Sequence, residues 1–223
     1  MPFSAVLLDL DGTLLDTIPD LASAANAMRQ DLGLPALAQE TIATYVGKGT
    51  GHLVMRALSN NDQGKAPTPE ELQQGLAIFD RHYHRYNGEA STLYPGVLEG
   101  LQAFRQAGAK MAIVTNKPTE FTLPLLPRFG LDQYMDHVVC GDTCEQKKPH
   151  PMPLLHACDL LGIAPQDALA IGDSVNDALA ARAAKIRVLA VPYGYNEGMD
   201  VRILEVDDIV TSIADAAQWA ARH

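Results

Sequence analysis

The sequence predicts an α/β protein: a Rossmann-like, doubly wound parallel sheet with an all-helical segment inserted after its first strand. Two patterns carry that expectation. Short apolar runs recur at residues 5–10, 110–115, 137–140, 168–171, 187–191 and 208–210. From the second run onward, single helical patterns and short loops separate them, the alternation that gives parallel strands joined by crossover helices. Early in the chain, roughly 75 residues carry helical periodicity alone where a βαβ unit should continue, a length within the usual range for a folded unit.

Taken in order, Ala5 to Leu10 is apolar almost without a break, as in a strand covered on both faces. Asp16-Thr17-Ile18-Pro19-Asp20 then reads as a helix start. Asp16 or Thr17 can cap, proline is tolerated in the first turn, and Asp20 suits the positive end. That helix covers 21–32 and stops at Gly33. A short helix is expected over 40–46, a glycine-rich loop over 47–51, and a helix over 52–59. A polar loop follows over 60–69, then a long helix over 70–86 with Leu72, Leu76, Phe79 and Tyr83 on one face. The chain is therefore divided into a core of residues 1–15 and 91–223 and an inserted helical unit of residues 16–90.

In the core, Pro95-Gly96-Val97 opens a helix that Gly108 closes, and the run at 110–115 ends in Asn116-Lys117-Pro118. One helix is expected from there to Phe129. The run at 137–140 leads through Lys147-Lys148-Pro149-His150-Pro151 into a helix ended by Gly162. The run at 168–171 ends in Gly172-Asp173-Ser174-Val175-Asn176-Asp177, followed by a helix to Ala184. Two further strands and a last helix carrying Trp219 complete the pattern.

Composition narrows the partners. The 223 residues are 47% hydrophobic and 20% charged, enough for a sizeable core. A formal net charge of -10 argues against nucleic acid or an anionic membrane. No apolar run approaches the length of a membrane span, and Met1-Pro2-Phe3 leads directly into the first strand, so no signal peptide is expected. Cys140, Cys144 and Cys158 suggest a reducing compartment without a disulfide framework, so a cytoplasmic protein is expected. A monomer or homodimer is expected, and the sequence does not choose between them. Cys140 and Cys144 lack the second ligand pair a zinc site needs.

Doubly wound sheets bind ligands outside the carboxyl ends of their strands, and there the polar residues collect. Asp9 and Asp11 leave the first strand together, on one side of it until the turn bends the chain. Two like charges this close are costly, a cost usually accepted for chemistry or a metal ion. Asp9, Asp173 and a backbone carbonyl are hard oxygen ligands of the kind Mg2+ takes. Asp9 can then attack phosphorus, and Asp11 can protonate the leaving oxygen and later activate water. Thr115 and the Asn116 region can bind phosphate oxygens, and Lys148 offers a compact charge to the transferring group. Asp177 can hold metal-bound water or orient Lys148. Taken singly, each motif also reads as ordinary structure: a solvated turn, a helix cap, an exposed lysine. Their convergence at strand ends favours chemistry. The candidate catalytic residues are Asp9, Asp11 and Lys148, the phosphate-binding residues Thr115, Asn116 and Lys148, and the metal ligands Asp9, Asp11, Asp173 and Asp177.

The DLDGT at 9–13, the TN at 115–116, the KKPHP at 147–151 and the GDSVND at 172–177 resemble the four motifs of the haloacid dehalogenase superfamily. The likeness extends over the whole chain, since the helical insertion is similar to that family's small cap domain. Asp11 resembles the phosphatase side, because the dehalogenase branch lacks an acid there. Val46-Gly47-Lys48-Gly49, Tyr94-Pro95-Gly96-Val97, Val114 to Pro118 and Tyr193-Gly194-Tyr195 resemble the bacterial phosphoglycolate phosphatases within it. The resemblance implies Mg2+-dependent hydrolysis of 2-phosphoglycolate, a small anionic ester, through an aspartyl-phosphate. One departure is Ala184-Lys185, where relatives more often carry glycine. Choice of leaving group should fall to the cap, with Lys48 on the 47–51 loop and Arg56 as candidates for the substrate's carboxylate. That loop's glycines superficially resemble a nucleotide loop, but they follow a helix and not a strand. His52, His82 and His84 are scattered on helices and are not expected to be ligands. Another small phosphate ester or pyrophosphate, a sugar-phosphate mutase, and a non-catalytic metabolite binder remain open alternatives.

Overall fold

The computed structural model describes residues 2–59 and 66–223, so the loop expected over 60–69 lies largely outside the described residues. In chain order the strands are β1 (Ala5–Leu8), β2 (Leu15–Asp16), β3 (Thr92–Leu93), β4 (Lys110–Val114), β5 (His137–Val139), β6 (Ala168–Gly172), β7 (Arg187–Ala190) and β8 (Asp208–Ile209). The helices before β4 are α1 (Ile18–Asp31), α2 (Gln39–Ala43), α3 (Thr50–Ser59), α4 (Pro69–Tyr86) and α5 (Val97–Gln106). Those after it are α6 (Thr119–Thr122), α7 (Leu125–Arg128), α8 (Met152–Leu161), α9 (Val175–Ala183) and α10 (Ile213–Arg222).

Six of the strands form one parallel sheet in the order β5-β4-β1-β6-β7-β8. The polar-ended strands β4, β1 and β6 are therefore neighbours at its centre. Side chains alternate across the sheet, so β1 serves two cores. Val6 and Leu8 pack with Leu101 and Phe104 of α5 and with Ile213 of α10, while Ala5 and Leu7 join Leu154 of α8 and Ala181 of α9. Burial on both faces explains why the strand reads as a continuous apolar run.

Helices α1 to α4 share a third core, with Met28, Ile42, Val54, Phe79 and Tyr83 buried among them and Phe121 contributed from the sheet side. The chain leaves the sheet for this layer through β2 and returns through β3, and the two pair antiparallel. A buried carboxylate fastens the same crossing. Asp20 accepts from the amides of Gly88, Ala90 and Ser91 at 2.8–3.0 Å and from the Ser91 hydroxyl.

Two local features differ from expectation, and the Ala184-Lys185 departure noted in the sequence takes a definite form. The single helix to Phe129 is two short ones, because Pro124 lacks the N–H that would continue α6. The β2–β3 pair was not foreseen, since two-residue strands leave no periodicity to read. Lys185 sits at φ 58° just after α9, in the left-handed region where glycine is at ease.

Candidate active site

At the carboxyl edge β1 delivers Asp9, whose amide still pairs with Ile171 of β6 at 3.0 Å. Gly12 follows at φ 91°. A Cβ at Gly12 or at Gly194 would collide with the Asp173 carboxylate, so two glycines let the backbone wrap an acid. Asp173 is held there by the Thr13 hydroxyl at 3.1 Å and the Tyr195 amide at 2.7 Å. Asp177, in the first turn of α9, accepts from the amide and hydroxyl of Ser174 at 3.1 and 2.7 Å.

Lys148 reaches into this group from the loop before α8. Its ammonium donates to Asp9 at 2.7 Å, Asp177 at 2.6 Å and the Val114 carbonyl at 2.6 Å. Burial works against its charge, but Asp177 and Asp9 outweigh that and hold its pKa above the ordinary lysine value. Two of the carboxylates are raised as well, which for an acid disfavours the charged form. Burial, reinforced by Asp177 and Asp173, raises Asp9 well above its ordinary value despite Lys148. Burial and Asp177 push Asp173 up to about 7. Asp9, Asp173 and Asp177 each bring a carboxylate oxygen within 4.8 Å of the others. Three crowded hard-oxygen donors, with the charged forms of Asp9 and Asp173 disfavoured, fit a divalent cation, which would relieve their repulsion.

Asp11 lies outside that cluster. Thr17 donates its hydroxyl to Asp11 at 2.7 Å, and Lys117 reaches both carboxylate oxygens at 3.2 and 3.3 Å. With its side chain committed there, Asp11 does not join the other acids as a carboxylate ligand. Lys117 also donates to the Tyr83 hydroxyl of α4 at 2.5 Å. Burial lowers the Lys117 pKa, but Asp11 and Tyr83 more than compensate and leave it above the ordinary value. Burial pushes the Tyr83 phenol up to about 12, so it stays protonated.

Thr115 is buried at the end of β4 and lines the cavity between sheet and helices together with Asp9, Asp11, Lys117 and Lys148. Asn116 lines it too, but its side chain is spent elsewhere. It accepts from the Lys148 amide at 2.9 Å and donates to the Lys148 carbonyl at 2.8 Å and to the Gly47 carbonyl at 2.9 Å. It ties the lysine loop to the helical layer, leaving its main chain as the part available to a phosphate. Lys48 and Arg56 do not line the cavity. Lys48 pairs with Glu197 at 2.6 Å, and Arg56 approaches the same carboxylate at 4.0 Å. Sequence reasoning passed over Lys117, Tyr83 and Glu197. Lys117 sat inside a quoted motif, Tyr83 read as one more apolar-face residue, and Glu197 gave no signal.

The haloacid dehalogenase-like hydrolase family matches over residues 6–191, and the chain belongs to that family. Within it, the chain is 48% identical over 217 residues to a phosphoglycolate phosphatase of Thiobacillus denitrificans, covering 97% of this chain and 95% of that one. It is 50% identical to a phosphoglycolate phosphatase of Nitrosospira multiformis, covering 98% and 96%. A crystal structure described as a predicted phosphoglycolate phosphatase from Haemophilus somnus superposes with a TM-score of 0.92 at 33% identity, covering 99% of both chains. Family and relatives together make the chain an enzyme, a phosphatase. Among the described residues no helix is long and apolar enough to cross a membrane.

Proposed function

We propose that the chain is a cytoplasmic, Mg2+-dependent phosphatase that hydrolyses 2-phosphoglycolate to glycolate and phosphate through a phospho-Asp9 intermediate. The observation that carries the chemistry is the division of labour between two carboxylates two residues apart. Asp9 lies in the acid cluster with Lys148 at 2.7 Å, whereas Asp11 is turned aside to Thr17 and Lys117. That division supports Asp9 as the group that meets phosphorus and Asp11 as the one that meets the leaving oxygen. The substrate rests on the 48% and 50% identical relatives and their near-complete overlap with this chain.

An Asp9 carboxylate oxygen attacks phosphorus, and the ester bond breaks as Asp11 delivers a proton to the departing glycolate oxygen. Asp11, now a carboxylate, takes a proton from water. That water's oxygen bonds to phosphorus, phosphate leaves, and Asp9 is restored. Lys148 and Thr115 face the phosphoryl oxygens, whose charge must be matched because positioning and electrostatics supply most of the rate in phosphoryl transfer. Asp9, Asp173 and Asp177 would hold the Mg2+, whose charge allows an anionic carboxylate to approach an anionic phosphate. The helical layer over residues 16–90 serves as a cap that excludes water from the acyl phosphate.

The test is phosphate release from a panel of esters, with Mg2+ and with EDTA. The panel holds 2-phosphoglycolate, sugar phosphates, pyridoxal phosphate, nucleotides and pyrophosphate. 2-Phosphoglycolate should lead in kcat/KM, EDTA should abolish turnover, and Asp9→Asn should lower kcat by ~10⁴-fold or more while remaining folded. Normal turnover by folded Asp9→Asn would overturn the mechanism, and a flat profile would overturn the substrate.

A further inference from the structure

The proposed reaction leaves one charged group of the cavity without a task. Two lysines line it, one beside each catalytic carboxylate. Lys148 stands with Asp9 and spends its hydrogens on Asp9, Asp177 and the Val114 carbonyl. Lys117 stands with Asp11, and its ammonium meets only the Asp11 carboxylate and the Tyr83 hydroxyl among the described residues. At 3.2 and 3.3 Å the two Asp11 oxygens face the same side of the ammonium. Two of its three acceptor atoms belong to one carboxylate, so the hydrogen on the farther Asp11 oxygen is the one a substrate carboxylate can take over without leaving Asp11 unpaired.

We propose that Lys117 is the specificity-determining residue, binding the carboxylate of the leaving group. The inference rests on the phosphatase reading, in which Asp11 protonates the ester oxygen. In 2-phosphoglycolate a single methylene separates that oxygen from the carboxylate carbon. A substrate whose ester oxygen is within hydrogen-bond reach of Asp11 therefore carries its carboxylate within a few ångströms of the cation that Asp11 itself touches. Among the described residues that line the cavity, the other cation is Lys148, which already serves Asp9 and Asp177. Leu21, Val46 and Leu53 are apolar, and Lys48 and Arg56 lie outside the lining, turned towards Glu197. An anion pressed against such a wall needs a counter-charge of its own. Lys117 also links the reading of the leaving group to the helical layer, because its second partner, Tyr83, belongs to α4.

A lysine that only held Asp11 in place would affect every substrate alike, and this separates the two roles. The comparison is 2-phosphoglycolate against ethyl phosphate, which has the same two-carbon tail without the carboxylate. The wild-type enzyme should favour 2-phosphoglycolate in kcat/KM by on the order of 10²-fold. In Lys117→Met that ratio should collapse towards one. Lys117→Gln, which keeps a donor without the charge, should also lose the preference, whereas Lys117→Arg should keep part of it. These two also serve where the methionine variant does not fold, with circular dichroism identifying the folded proteins. An unchanged ratio in the folded neutral variants, with both substrates slowed in parallel and the pH–rate profile displaced, would overturn the inference. A wild-type enzyme that hydrolyses esters without favouring 2-phosphoglycolate would instead overturn the substrate reading beneath it.

Discussion

Gly12 illustrates how little freedom a single residue has at this site. Its φ of 91° suits glycine, and a methyl group there would strike the Asp173 carboxylate. Gly33 also has a positive φ, 70°, but nothing lies within 4 Å of where its Cβ would be. Gly33→Ala should cost about 1 kcal/mol through backbone strain and leave turnover alone. Gly12→Ala should cost about 1–3 kcal/mol and lower kcat at least ~10-fold, because it displaces an acid as well. Urea denaturation and phosphate release on the two variants measure the contrast. The same residue scale marks what could be read from sequence. Asp9, Thr115, Lys148, Asp173 and Asp177 meet because each sits at or beyond the carboxyl end of a strand, a position the topology alone dictates. The side chain of Asn116 could not be placed that way, since its partners are the backbones of Lys148 and Gly47. Lys48 is diverted by Glu197, a residue 149 positions away held at φ 53°.

Among the elements, the crossing between sheet and helical layer was the least legible part of the fold and is among its most tightly bonded. β2 and β3 contribute two residues each, too few for an alternating pattern. The buried acid beneath them looked like an ordinary helix-start residue. Asp20 is 1% exposed, no cation pairs with it among the described residues, and four donors from residues 88–91 satisfy its carboxylate oxygens. Asp20→Ala would leave three amides and a hydroxyl seeking partners in a buried place. The expected cost is about 2–4 kcal/mol in urea denaturation. Because both chain crossings lose their tie, kcat should fall as well, although Asp20 touches nothing in the reaction. Asp20→Asn keeps one acceptor oxygen and should lie between the two; equal stability of all three proteins would refute this role. The break between α6 and α7 was readable in principle, since Pro124 is in the sequence. The two helices are four residues each, too short for periodicity to tell them from a single helix ending before Gly130.

For the whole molecule, the acid cluster makes stability depend on pH and on metal in a linked way. Asp173 has a folded pKa of about 7 against an ordinary 3.8, chiefly through burial and Asp177, and Asp9 is raised in the same direction. Between those values the folded protein keeps a proton that the unfolded chain has released. The stabilisation is full below pH 3.8 and is lost as pH rises through about 7. Lys148 and Lys117 are raised too, but theirs is lost only above the ordinary 10.5. His52, lowered by burial, contributes above 6.5 and loses that contribution as pH falls, the opposite sense. A divalent cation binds the charged carboxylates and stabilises the folded state by mass action, in competition with protons. The Tm in EDTA should therefore decline above about pH 7, while the Tm in Mg2+ holds, so the gap between the two widens from pH 5 to pH 9. His52 is common to both conditions and drops out of the difference. Asp173→Asn should melt higher than wild type at pH 8 in EDTA, because a neutral amide replaces a crowded charge, and should lose most of the response to Mg2+. A gap that is the same at every pH, or one that survives Asp173→Asn, would mean that the cation binds somewhere other than the three crowded acids.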